Sequence, residues 1–381
     1  MTGSLIQCLE QVALQWTKQR AQRQQRRELY EADFDQIRDA GYLLTAVPEN
    51  AGGHWTSGAA TTRLICDALR TLAHGDSSVA LVSAMHPAVL SYWLAAPDEA
   101  WQCEAFAAQT KKIIAGVKQG DWWGTITSEP GSGGDVMKTR AVAKPTGDPH
   151  QYSVTGDKHF GSGTGMLRYM VTTAVADGEE APDWFYVDLQ NVPLDGSQGV
   201  KLIAQWDGHG MIATQSHSLR FEDFPANRIA WPGHLPETAA RSGPLIGCMF
   251  TAVIVGIVET AMEFAAEKYP QETAGAYEQV QWQQAQIEAW LIVQAYEGML
   301  RAVESQADAA CPKMRREVLQ GKTAIADLSE KLMTRLPRIL GGGTFHRRSP
   351  LGHWAQDVKA LGFLRPPWPL AYETLIGENA K

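Results

Sequence analysis

The sequence lacks most of the signals that assign a chemistry at once. Its five cysteines, Cys8, Cys66, Cys103, Cys248 and Cys311, are scattered, odd in number and never paired as CxxC. No Cys/His cluster stands at ligand spacing, so neither a zinc site nor a disulfide framework is expected and no metal is assigned. Reduced thiols in a cytoplasmic protein are the expectation. Basic excess is missing too: the formal net charge is −8, from 34 Lys+Arg and 42 Asp+Glu. That argues against non-specific nucleic-acid binding, which needs a basic face to neutralise phosphates. It also gives no electrostatic reason to approach an anionic membrane. No apolar run reaches the roughly 18 residues of a membrane span. The longest, GCMFTAVIVGIVETA, reads as a buried helix. The first residues are charged and helix-periodic, without the apolar core of a signal peptide. No GxGxxG follows a strand, so a Rossmann dinucleotide fold is not supported.

What is present is an ordinary globular composition of 381 residues, 44% hydrophobic and 20% charged, with 13 tryptophans. That length allows two or three domains. Up to about residue 115 the pattern is helical. FDQIRDAGYLL carries apolar residues at helical spacing, and HGDSS splits two further helical runs with a stop-and-recap signal. QYSVTGDKHF, RYMVTTAVADG, DWFYVDL and SHSLRFEDF are short, β-branched or aromatic, and bounded by Gly/Asp/Pro turns, as strands are. Beyond residue 240 long helical patterns return. The order predicts an α+β chain, with two helical units flanking a β-domain: 1–118, 119–235 and 236–381.

Two glycine-rich segments stand out. In TSEPGSGGDV, Thr127 and Ser128 offer hydroxyls, and Gly131, Gly133 and Gly134 leave backbone N–H groups open. Such a loop can hydrogen-bond a planar polar heterocycle or a phosphate; alone it reads equally as a surface turn capping a strand. GDKHFGSGTG again places an aromatic, Phe160, and a hydroxyl, Ser162, beside glycines. Together the two segments can line opposite sides of one flat ligand at a cleft between layers.

These residues carry a resemblance. The chain resembles the acyl-CoA dehydrogenase superfamily of flavoproteins over nearly its whole length, in VPENAGG, TSEPGSGGDV, TGDKHFGSG, GHGMIATQSHSLRFEDFPAN and RILGGGTFHRRSPLGHWAQDVKA, in that order. The resemblance implies an N-terminal helical domain, a middle β-barrel-like domain and a C-terminal four-helix bundle, in a homodimer or homotetramer. It implies FAD, with FMN as the alternative. Thr127 and Ser128 would then meet the flavin's pyrimidine edge, with Gly133 and Gly134 in the same loop. Phe160 would pack on the isoalloxazine, Ser162 would reach its N5 side, and Gly341 and Gly342 would lie near a neighbouring subunit's adenine portion. The implied reaction is α,β-dehydrogenation of an acyl-CoA or acyl-carrier thioester, with hydride passing to flavin N5 and on to an electron acceptor.

Several positions depart from the family pattern. Gly134 stands in place of a serine that helps hold the pyrophosphate, Thr273 in place of an arginine, and Arg338 in place of a glutamine. Arg338 could still pair with a phosphate. Three altered diphosphate contacts make FMN, or shifted FAD binding, an alternative. The catalytic carboxylate of most members falls eight residues after Asp357, at Arg365, and an arginine is no base. Glu373 could serve if RPPWP loops the chain back to the pocket; otherwise it is a surface acid. A monooxygenase branch of the same superfamily, supplied by a flavin reductase, lacks that glutamate. FGSG and ATQSH look somewhat like that branch. His86 in SAMHPAVL would then be a proton donor or oxygen-side contact, or else a packing residue.

Overall fold

The computed structural model describes residues 2–306 and 308–379. The chain runs through seven helices: α1 (Thr2–Lys18), α2 (Arg20–Arg23), α3 (Glu31–Asp39), α4 (Gly58–Gly75), α5 (Ser77–Leu94), α6 (Asp98–Trp101) and α7 (Glu104–Lys118). The HGDSS signal acts as read. Helix α4 stops at Gly75, and the Asp76 carboxylate caps α5 by accepting from Val79 N at 3.0 Å. Every residue of α5 from Ser78 to Trp93 is buried, so this helix is the axis around which the other layers pack.

Seven strands follow: β1 (Trp123–Thr125), β2 (Val142–Pro145), β3 (Gln151–Gly161), β4 (Tyr169–Ala176), β5 (Pro182–Asp188), β6 (Val200–Ala204) and β7 (His217–Arg228). Five close into a ring, β4–β2–β3–β7–β5 and back to β4, with β1 attached to β4 and β6 to β7. Closure leaves no free edge in the ring itself. The β3–β7 register breaks between Lys158 and Gly161. That irregularity turns Phe160 out of the strand with φ 59°.

The chain ends in α8 (Leu235–Lys268), α9 (Ala276–Glu304), α10 (Pro312–Leu340), α11 (Pro350–Asp357), α12 (Ala360–Phe363) and α13 (Trp368–Asn379). The apolar run read from sequence as too short for a span lies within the 34-residue α8. Length and composition would let that helix cross a membrane, but 83% of its most apolar window is buried inside the protein. It packs against α4, α5 and α10. Gly256 permits the approach of α4: a Cβ there would lie 2.4 Å from the Arg70 carbonyl oxygen. One side chain ties the layers together. The buried Asp357 of α11 accepts from Ser77 Oγ of α5 at 2.5 Å and from Met211 N, just before β7, at 2.6 Å. Burial pushes its carboxyl up to about 6, against the pull of those two bonds.

Candidate functional site

A cavity of about 1320 Å³ opens where α5, the barrel loops, α8, α10 and the segment Phe363–Pro369 meet. Drug-sized ligand pockets run to about 300–1,000 Å³, so this one has room for two molecules.

The first wall is built from the two glycine segments. They are zipped together, because His159 N donates to Ser128 O at 2.8 Å. Thr127 is buried and Ser128 half-buried beside it. Ser132 Oγ donates to Glu129 O at 3.0 Å and accepts from Gly134 N at 3.2 Å, which folds the loop back on itself. Gly131 and Gly133 take φ of +79° and +63° and face open space, so their backbone amides stay approachable. Behind the loop lies a strut. Lys158 Nζ donates to Glu129 Oε1 at 2.6 Å and to Thr173 O at 2.6 Å, and Glu129 Oε2 accepts from Arg140 N at 2.7 Å. Burial would raise the Glu129 carboxyl, but Lys158 and these bonds hold it below the usual range.

Phe160 stands 59% exposed at the mouth, edge-on to Trp206 with centroids 6.2 Å apart. Ser162 Oγ lies 2.8 Å from Ser216 Oγ, which lies 2.7 Å from Thr214 Oγ1; Thr214 in turn donates to Met211 O at 2.9 Å. Each hydroxyl has one proton. With Thr214 spending its proton on a carbonyl, the relay runs inward, and Ser162 is left to accept from the cavity side. Sequence reading singled out FGSG and ATQSH, which hold all three hydroxyls, but not that the three meet. His217, also noted there, accepts from Trp206 N at 2.9 Å and so positions that ring.

The opposite wall is apolar: Leu81, Met85, Val89 and Tyr92 from α5, Trp184 from β5 and Phe250 from α8. Its floor is the proline segment. RPPWP does return the chain to the cavity, as the sequence allowed, but it delivers Arg365 and not Glu373. The Arg365 guanidinium meets Thr127, with Nη2 donating to Oγ1. Glu373 sits exposed on α13 and does not line the cavity, whereas its neighbour Thr374 does. Pro367 lies 3.0 Å from where a Gly134 Cβ would be. The absent serine side chain and the arriving proline therefore share one space.

Sequence reading missed Lys322. It is 3% exposed, and its ammonium donates to Leu364 O at 3.0 Å and Pro366 O at 2.9 Å. Burial lowers it to about 8. A sequence signal existed: Met314, Val318, Lys322, Ile325 and Ser329 share the inward face of α10 at helical spacing.

His86 is a correction. It does not face the cavity. It is fully buried, accepts from Trp123 N through Nδ1 at 3.2 Å and packs edge-on against Trp122. Burial drops its pKa to about 3, so it is neutral and donates no proton to a ligand. Arg338, Gly341 and Gly342 stand exposed at the end of α10, away from the cavity lining.

Fold and cleft together define a class: helical layers around a closed β-ring, with a large cleft lined by hydroxyls, glycine amides and an exposed aromatic ring. Residues 124–224 match the family model of the acyl-CoA dehydrogenase middle domain. The middle of the chain thus matches that family, and the whole chain is similar to flavin-dependent enzymes that share its fold. Among curated relatives, it is 23% identical to YdbM of Bacillus subtilis (strain 168), provisionally named an acyl-CoA dehydrogenase, over 88% of this chain and 85% of that one. Two solved structures share the fold. One is FMN-bound TdsC from Paenibacillus sp. A11-2, a dibenzothiophene monooxygenase, at TM-score 0.81 and 18% identity over 98% and 96% of the two chains. The other is butyryl-CoA dehydrogenase from Megasphaera elsdenii, at TM-score 0.79 and 17% identity over 99% and 98%.

Proposed function

We propose that this chain is a reduced-flavin-dependent monooxygenase that works with a separate flavin reductase. One observation carries the reading. Among the described residues lining the cavity the one carboxylate is Glu129, and its oxygens are already taken by Lys158, Thr139 and backbone amides. Dehydrogenation of an acyl thioester needs a free carboxylate to remove the α-proton; here a guanidinium stands at that place.

The cleft fits a flavin. Thr127 and Ser128 would hold the pyrimidine edge, the amides around Gly131, Gly133 and Gly134 a phosphate, and Phe160 the ring system. FMN suits the cleft better than FAD, because Pro367 fills the space beside Gly134 and Arg338 points to solvent. Bound in its reduced form, a flavin supplies the electrons that activate dioxygen for insertion into a substrate. The protein's role is to select and enclose. Ser162, left as an acceptor by the inward relay, suits an N–H donor on a reduced ring and suits an oxidised ring nitrogen less. The walls of Leu81, Met85, Trp184 and Phe250 exclude water from the reacting partners. Exposed apolar side chains along α9, Val280, Ile287 and Trp290, offer a face for a second copy, in keeping with a homo-oligomer.

The test is spectroscopic. With FMN, NADH and a flavin reductase, the protein should change how oxygen is consumed in the presence of a substrate. Under anaerobic conditions butyryl-CoA or octanoyl-CoA should leave bound flavin oxidised. Anaerobic bleaching by either thioester would overturn the reading in favour of dehydrogenation.

A further inference from the structure

Arg365 poses a charge problem. Its Nη2 is bonded to the neutral hydroxyl of Thr127, its Nε is buried without a partner, and it makes no ion pair among the described residues. Its backbone is gripped on both sides by Lys322, whose ammonium binds the carbonyls of Leu364 and Pro366 and is itself matched by no carboxylate there. Two further cations, Arg315 and Lys359, also border the chamber. Among the described residues the one lining acid, Glu129, is neutralised by Lys158; Asp135 attracts Arg365 from a distance but makes no ion pair with it. Buried cations without an anion are costly. Here the missing charge faces a cavity whose wall from α5, β5 and α8 is apolar and aromatic.

We propose that Arg365 is an oxyanion-binding residue inside the cavity, and that the ligand it takes is an apolar, ring-sized molecule bearing a carboxylate or a similar oxyanion. The guanidinium fork suits such a group and binds it with paired N–H donors. Lys322 is the positioning residue: it fixes the carbonyls on either side of Arg365 and places a second positive charge behind it. A flavin phosphate offers the same oxyanion chemistry, so the test separates the two sources. The inference rests on this cavity being the substrate chamber, and not on the redox reaction that follows.

The full-length protein is titrated without flavin, by tryptophan fluorescence, with benzoate and with its neutral counterpart benzyl alcohol. Separate titrations compare FMN with riboflavin. Benzoate should bind at least tenfold more tightly than the alcohol, and Arg365→Gln should abolish that preference while Arg365→Lys keeps some of it. If Arg365→Gln instead removes only the preference for FMN over riboflavin, the oxyanion site stands and its occupant is the flavin phosphate. Both preferences unchanged in a folded Arg365→Gln protein would overturn the site. Should that variant not fold, phenylglyoxal modification of the native chain decides, with Arg365 read by peptide mass spectrometry. Protection by benzoate or FMN supports the site, and none with either overturns it. Because no turnover is involved, loss of oxygenase activity with benzoate binding intact would sink the proposed reaction and leave this inference standing.

Discussion

Two buried lysines flank the same cavity and differ in what answers their charge. Both are pulled down to about 8 by burial. Lys158 is met by Glu129 at 2.6 Å; among the described residues Lys322 is met by two carbonyls and no carboxylate. The first is a closed strut, binding strand β3 to the loop that begins the glycine turn. The second is an open charge next to an open volume. A buried cation is therefore no sign of function in itself; its partner decides whether it supports the fold or awaits a ligand.

The largest effect should come from breaking the closed pair. Glu129→Ala leaves Lys158 buried and unmatched, and should lower unfolding free energy by about 3–5 kcal/mol in urea titration. A loss below about 1 kcal/mol would show that the two lysines do not differ as described. Acid is the next probe. Below pH 6.5 the unfolded chain protonates His86, while the folded chain resists until about pH 3. Stability should therefore fall through that window, by at most about 1.4 kcal/mol per pH unit from this group, and His86→Gln should flatten the fall. Gly134→Ser should cost about 1–2 kcal/mol, because a side chain there meets Pro367 and an unfavourable φ of +84°; the melting temperature reads it. Lys322→Met should change stability by less than about 1 kcal/mol, since it strands no carboxylate, yet weaken benzoate binding severalfold. Glu373→Gln should leave flavin affinity and turnover within about twofold, as surface changes do.

Much of the fold was legible in the sequence. The α–β–α order followed from period and turn chemistry, and HGDSS marked a helix junction to the residue. Ring closure came from the resemblance alone, which implied a β-barrel-like middle domain; the β4–β5 and β2–β4 pairings that close it join strands through register, which no local pattern states. At the site, the two glycine segments were found, but they are bridged through Ser128 and His159 into one wall and do not stand on opposite sides of a ligand as read from the sequence. Counting from Asp357 reached Arg365 only as a missing base, since sequence spacing says which residue arrives and not what charge surrounds it. His86 misled because α5 does border the cavity, through Leu81, Met85, Val89 and Tyr92, while His86 lies on another side of the same apolar helix, and an apolar pattern all round does not say which side faces the cleft. Glu373 misled by one position: on a helix, a single residue's step turns a side chain by about 100°, from the chamber that Thr374 borders to the outside.

The carboxylate of Asp357 has a consequence for traffic. It fastens the start of α5, the chain before β7 and the end of α11 at one point, as a keystone holds three stones. Walls fastened in that way do not swing open independently. Movement at the cavity then falls to lining parts that this carboxylate does not hold, among them the exposed rings of Phe160 and Phe363 and the proline segment that follows.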